Sequence, residues 1–171
     1  TTIIAGSEAV RTALKGPIDL PEEKLDMVQG FVGDVAGVED LAKRRAAKDA
    51  IGEDPDTLIV SASGVLHWRK SPAVFIDVAQ QVVSRVSQPV RFIWVGDGPD
   101  RAACDALISE KGLQDQVKIT GYVSDAQPYL NASDIFLLPS EEDPFPLVCL
   151  MAGLAQNPII CFADAGGMPE L

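Results

Sequence analysis

From Leu58 onward, short apolar runs alternate with amphipathic stretches at nearly constant intervals. Leu58 to Ala62, Val90 to Val95, Ile135 to Leu138 and Pro158 to Ala163 are almost continuously apolar, as strands covered on both faces must be. Val117 to Val123 is a fifth, more mixed candidate. The segments between them read as helices. Ser71-Pro72 predicts an N-cap followed by proline at the first helical position, where its missing N–H is not needed, and Phe75, Val78, Ala79, Val82, Val83 and Val86 then recur along one face. Gly98-Pro99 predicts a second helix that presents Ala103, Leu107 and Ile108 and ends at Gly112. Ser124-Asp125 predicts a third ending near Ala132, and Phe145-Pro146 a fourth that stops before Asn157-Pro158. Strand–helix alternation of this kind builds a doubly wound parallel sheet, a Rossmann-like α/β fold.

Before Leu58 the pattern changes. Thr1 to Ala5 is β-prone, Ser7 caps a helix running to about Lys15, and Pro21 to Lys24 forms a turn ahead of Leu25 to Val32. Gly30, Gly33 and Gly37 then interrupt regular structure and predict a hinge. A helix from about Val38 to Ile51 carries Lys43, Arg44, Arg45 and Lys48, read as a solvated face.

Charge narrows the function. The 171 residues hold 14 Lys and Arg against 25 Asp and Glu, a net charge of −11, which opposes nonspecific binding to nucleic acid or an anionic membrane. From Ile119 to the end there is no Lys or Arg, so cationic contacts to a phosphorylated ligand must come from upstream, helped by helix N-termini. Cys104, Cys149 and Cys161 lie in apolar stretches without the spacing of a zinc or redox motif and read as buried hydrophobes in a reducing compartment. With no apolar run near the roughly 20 residues of a membrane span and no signal-like start, the chain is expected to be cytoplasmic. Its opening at Thr1 and its stop just after Gly166-Gly167-Met168-Pro169, where another helix is expected to open, suggest a piece of a longer protein.

Three loops carry candidate chemistry. Gly64-Val65-Leu66-His67-Trp68-Arg69-Lys70-Ser71 joins the first strand to the first helix, at the sheet edge where doubly wound folds bind ligands. Arg69 and Lys70 beside a helix N-terminus form a phosphate site, the alternative being exposed loop charges. Gly64, Lys70 and Ser71 have P-loop spacing, but Arg69 replaces the second glycine and argues against an NTPase. Gly96-Asp97-Gly98-Pro99 lacks the third glycine of a dinucleotide fingerprint and reads as a tight turn. The third loop, Pro139 to Val148, places Glu141, Glu142 and Asp143 at a helix N-terminus, either as a solvated cap or as acceptors for sugar hydroxyls. His67 is the single histidine, so a Ser-His-Asp or metal–histidine centre is hard to build.

Taken in order, these segments resemble the C-terminal, donor-binding domain of GT-B glycosyltransferases like those of family 4. The resemblance rests on Gly64 with His67 to Lys70, Val95 to Pro99, Ile119 to Val123, Leu138 to Val148, Pro158 to Ile160 and Ala165 to Glu170. It implies that residues 1–35 are a remnant of the partner N-terminal domain and hinge, and 36–171 an incomplete donor domain. It further implies transfer of a hexose from a nucleotide-sugar to an unknown acceptor with retention, by a parent enzyme whose other domain is missing here. In that reading Gly64, Arg69, Lys70 and the amides around Phe145, Pro146 and Leu147 hold the diphosphate. Gly121, Tyr122 and Val123 lie near the nucleobase, and Asp143 orients the sugar. Arg69, Lys70 and Asp143 are the expected catalytic groups; no metal or cofactor is called for, because the cations take over that charge. The family's two glutamates eight positions apart fall on Asp143 and Met151, its usual Arg after the glycine is Val65, and its glycine after the lysine is Ser71. Met151 cannot accept ribose hydroxyls as a carboxylate would, so a degenerate, non-catalytic scaffold is the alternative.

Overall fold

The structure is a computed structural model that describes residues 2–15, 21–33 and 40–170. Its centre is a five-stranded parallel sheet in the order β5-β4-β3-β6-β7, made of β3 (Leu58–Ser63), β4 (Val90–Val95), β5 (Val117–Ile119), β6 (Ile135–Leu138) and β7 (Ile159–Cys161). A two-stranded parallel unit of β1 (Ile3–Ala5) and β2 (Leu25–Met27), with α1 (Glu8–Lys15), stands apart from it. The doubly wound α/β expectation is met.

Alternation within each strand sends side chains to two cores. Phe92 and Trp94 of β4 pack with Phe75, Ile76 and Ala79 of α3 (Pro72–Val83) and Cys104 and Ile108 of α4 (Arg101–Glu110). Ile93 and Val95 point to the opposite face, against Ala132 of α5 (Gln127–Ala132) and Ala47 of α2 (Leu41–Ala50). Cys149 and Ala152 of α6 (Leu147–Leu154) pack with Phe136 and Leu138 of β6 on that same side. Burial on both faces explains why β4 and β6 read as continuous apolar runs, whereas β7, at the sheet edge, leaves Ile160 54% exposed and is not covered on both faces as its apolar run suggests.

Several predicted boundaries shift, each for a local reason. The helix expected from Gly98-Pro99 starts at Arg101, because Asp97 turns back to accept from Gly98 N–H at 2.8 Å. The one expected from Ser124-Asp125 starts at Gln127, whose N–H donates to Asp125 Oδ1 at 2.9 Å. The fourth starts at Leu147, since Pro146 is an extended N-cap. The run to Val123 stops pairing after Ile119, where Gly121, at φ 75°, forms a lone antiparallel bridge to Gly96. Ser71 holds the N-cap position of α3 but in a left-handed conformation, φ 49°, and its hydroxyl donates to Trp68 C=O at 3.4 Å rather than capping the helix. Residue 37, the predicted start of α2 and the 35/36 division lie outside the described residues.

The basic cluster of α2 departs from a solvated face. Lys48 is 4% exposed, and its ammonium donates to Asp134 Oδ2 at 2.6 Å and to Thr57 C=O at 2.8 Å. Arg44 reaches Asn157 Oδ1 at 2.6 Å, and burial lowers its guanidinium's affinity for the proton. These bonds dock α2 against α5 and the end of α6. Among the described residues no helix is long and apolar enough to cross a membrane.

Candidate functional site

Strand order locates the site. The chain runs β3, β4, β5 toward one edge, then returns to build β6 and β7 on the other side of β3. The loops after β3 and β6 therefore diverge and leave a crevice outside their carboxyl ends, which is where doubly wound sheets bind ligands. Those are the Gly64–Ser71 loop and the Ser140–Pro146 loop.

The first loop is built by close backbone approach. Gly64 N–H donates to Val95 C=O at 3.0 Å, and Leu66 N–H to Asp97 C=O at 2.9 Å. A Cβ on Gly96 would collide with the Gly64 carbonyl oxygen, and one on Gly98 with the Leu66 backbone. Glycine at 96 and 98 is thus what lets the turns after β3 and β4 interlock, and this is the use of the Gly96-Asp97-Gly98-Pro99 segment. Trp68–Lys70 then forms a 3-10 turn instead of a P-loop cradle. The stem of Lys70 lies across Gly64, its carbons 3.8 Å from where a Cβ would stand. Trp68 and Arg69 project outward and are exposed.

The second loop brings Asp143 to meet this lysine. Lys70 Nζ donates to Asp143 Oδ2 in a short ion pair that spans the switch point. Asp143 is 5% exposed, whereas Glu141 and Glu142 are exposed. Buried beneath, the Cys149 thiol is pushed up to about 12, first by desolvation and then by the Asp143 charge. Ser140 is buried with its Oγ unpartnered among the described residues, a feature that its place two residues after β6 could have flagged.

The tip of α6 completes the crevice. Pro146 is buried at its N-cap, Phe145 is half-buried and Leu147 is exposed. The N–H groups of Leu147 and Val148 have no hydrogen-bond acceptor among the described residues, leaving two dipole-aligned donors free. Gly30 of the N-terminal segment lies against the Leu147 and Phe145 side chains, where a Cβ would clash.

The remaining predicted residues are more dispersed. Gly121, Tyr122 and Val123 follow β5, two strand positions from β3, about 10 Å at ordinary strand spacing. Tyr122 is 83% exposed, but Val123 packs into the core with Ile59 and Ile93. Met151, half-buried, packs at the margin of the core cluster that holds Cys149 and Ala152. No group of three or more His, Cys, Asp or Glu suited to a metal ion occurs among the described residues.

Comparison with known proteins gives a consistent result. The family model described as "Glycosyl transferases group 1" matches residues 56–171. A 2-deoxystreptamine N-acetyl-D-glucosaminyltransferase of Niallia circulans is 33% identical over 105 residues, 60% of this chain and 27% of the relative. The lipopolysaccharide core biosynthesis glycosyltransferase LpsD of Rhizobium meliloti is 29% identical over 142 residues, 80% of this chain and 40% of the relative. Among solved structures, Anabaena Alr3699/HepE in complex with UDP and glucose superposes with a TM-score of 0.83 at 22% identity, over 99% of this chain and 46% of that one. WaaG, a glycosyltransferase involved in lipopolysaccharide biosynthesis, superposes with a TM-score of 0.86 at 15% identity, over 99% of this chain and 46% of that one. At such identities the superpositions show the shared fold. The chain spans less than half the length of each of these relatives.

Proposed function

Because the chain belongs to the glycosyl transferases group 1 family, we propose that it forms the donor-binding part of a retaining hexosyltransferase that uses a nucleoside-diphosphate sugar. The observation that carries this reading is the crevice between the β3 and β6 loops, with Lys70 on one wall and the free amides of Leu147 and Val148 on the other; Arg69, exposed next to Lys70, would have to swing in to reach the diphosphate. As the bond from the anomeric carbon to the donor diphosphate breaks, negative charge develops on the departing group. Preorganised cations and amides aimed at that charge lower the barrier without reorganising during the reaction.

Asp143 has a double part in this scheme. In the free protein it holds the Lys70 ammonium. A bound pyrophosphate competes for the same ammonium and frees the carboxylate to accept from a sugar hydroxyl. Gly64 leaves room for the lysine stem, Phe145 and Pro146 shape the helix tip, and Gly121 and exposed Tyr122 flank the nucleobase, with Val123 anchoring them from the core. The acceptor, a saccharide, lipid or small molecule, is bound with the help of a second, N-terminal domain. UDP, bound by the similar HepE, is the first nucleotide to try.

Met151 favours a second reading, a donor-like domain that binds nucleotide weakly and serves as a scaffold. A half-buried thioether cannot accept from ribose hydroxyls as a carboxylate would. One lost charge-assisted hydrogen bond is worth about 1.5–3 kcal/mol, about ten- to hundred-fold in affinity.

Calorimetric titration of the intact protein with UDP, GDP and their sugars separates the two. Saturable binding that disappears in Lys70→Ala, with folding checked by circular dichroism, supports the transferase. Absence of binding to every nucleotide supports the scaffold.

A further inference from the structure

The turn from Ala165 to Glu170 touches two parts of the molecule at once. On one side its backbone lies directly on the Asp143 loop. Gly167 N–H donates to Asp143 C=O at 2.9 Å. A Cβ on Gly166 would collide with that same carbonyl oxygen, and one on Gly167 with the carbonyl oxygen of Pro144. Ala165 and Met168 anchor the turn in the core beside Cys149 and Ala152.

On its other side the turn reaches the amino end of α1. Glu170 Oε2 accepts from Glu8 N–H at 3.0 Å and Oε1 from Ala9 N–H at 2.9 Å, while Gln29 Nε2 donates to Oε2 at 3.4 Å. Both oxygens of one carboxylate thus satisfy two orphan amides at the positive end of a helix dipole. These hydrogen bonds hold the Glu170 carboxyl below its usual range. Ser7, which is completely buried, wedges its Cβ 2.8 Å from where a Gly167 Cβ would stand.

We propose that Glu170 is a positioning residue: it fastens the β1–α1 unit to the turn on which the Asp143 peptide sits, so that displacement of α1 reaches the carboxylate that holds Lys70. The path is physical at each step. Glu170 is bonded to α1, only Met168 and Pro169 separate it from Gly167, to whose C=O its own N–H donates at 3.2 Å, and Gly167 is bonded to Asp143 with no side chain between them to absorb a shift. Close-packed contacts of this kind transmit displacement instead of damping it. The consequence for ligand binding rests on the donor-site reading above; the mechanical coupling does not.

The test compares the intact protein with Glu170→Ala and Glu170→Gln by amide hydrogen exchange and by UDP titration. In Glu170→Ala, exchange accelerates about tenfold or more at Glu8 and Ala9 and also at Gly167, and UDP affinity falls about three- to tenfold. Glu170→Gln keeps one good acceptor and lies between the two; should the alanine variant fail to fold, the glutamine variant decides. Acceleration confined to Glu8 and Ala9, with Gly167 exchange at the wild-type rate, reduces Glu170 to a local helix cap and overturns the proposal. If the wild type binds no nucleoside diphosphate, the donor reading fails by itself, and Gly167 exchange alone decides the coupling.

Discussion

Removing the two partners of the Lys70–Asp143 pair one at a time has unequal costs. The Asp143 side chain is 6% exposed and that of Lys70 28%. Lys70→Met strands a carboxylate in a place that water barely reaches. Breaking a buried pair in that way costs about 3–5 kcal/mol, and partial access of water through the vacated lysine position lowers the expectation to about 2–3 kcal/mol. Asp143→Asn strands an ammonium that can turn out to solvent, and the amide oxygen still accepts a hydrogen bond, so about 1 kcal/mol is lost. The double variant removes both charges and recovers about 1–2 kcal/mol relative to the sum of the singles. Urea denaturation followed by circular dichroism measures this directly. At an unchanged slope of about 1–3 kcal/mol per molar urea, the midpoint of Lys70→Met falls by about 1 M and that of Asp143→Asn by under half as much. Equal shifts for the two singles, or strict additivity in the double, would refute a buried, asymmetric pair.

Two further outcomes follow from the same neighbourhood. The Cys149 thiol, raised from 9.0 to about 12 by burial and by Asp143, remains neutral in the folded state while the unfolded chain ionises, so its contribution to stability is lost as pH rises from about 9 toward 12. A thiol-reactive chromogen therefore labels half-buried Cys161 first and Cys149 only on unfolding; rapid native labelling of Cys149, located by mass spectrometry, would contradict the burial argument. In Met151→Glu, a carboxylate at the half-buried thioether position tightens nucleoside-diphosphate binding about ten- to hundred-fold; an unchanged dissociation constant in calorimetry would show that position 151 does not face the ribose.

Elements were most legible where apolar periodicity was uninterrupted. The strands at Val90 to Val95 and Ile135 to Leu138 form over the residues expected, because burial on both faces leaves a pure apolar run. Helix starts were less legible. Gly98-Pro99, Ser124-Asp125 and Phe145-Pro146 look like openers, yet each belongs to the turn before its helix. Lys48 and Arg44 look like surface charges, and their burial depends on Asp134 and Asn157, which lie 86 and 113 residues away in the chain. The candidate site shows the same limit. Lys70 and Asp143 could each be singled out from their loops, but their pairing across 73 residues requires β3 to lie beside β6. Strand order of that kind is not written in periodicity. Ser71 is a subtler case: its left-handed backbone, φ 49°, is a conformation that a residue without a Cβ adopts at less cost, and nothing in the periodicity around it signals that.

The central claim is that a nucleoside diphosphate lies in the crevice between the β3 and β6 loops. Amide chemical-shift mapping of the intact, isotope-labelled protein during a UDP titration tests it most directly. The account predicts saturable shifts at Gly64, Arg69 and Lys70 together with Leu147 and Val148. Shifts that spare both loops at saturating UDP, or that gather along α2 and α5 away from the crevice, would contradict it.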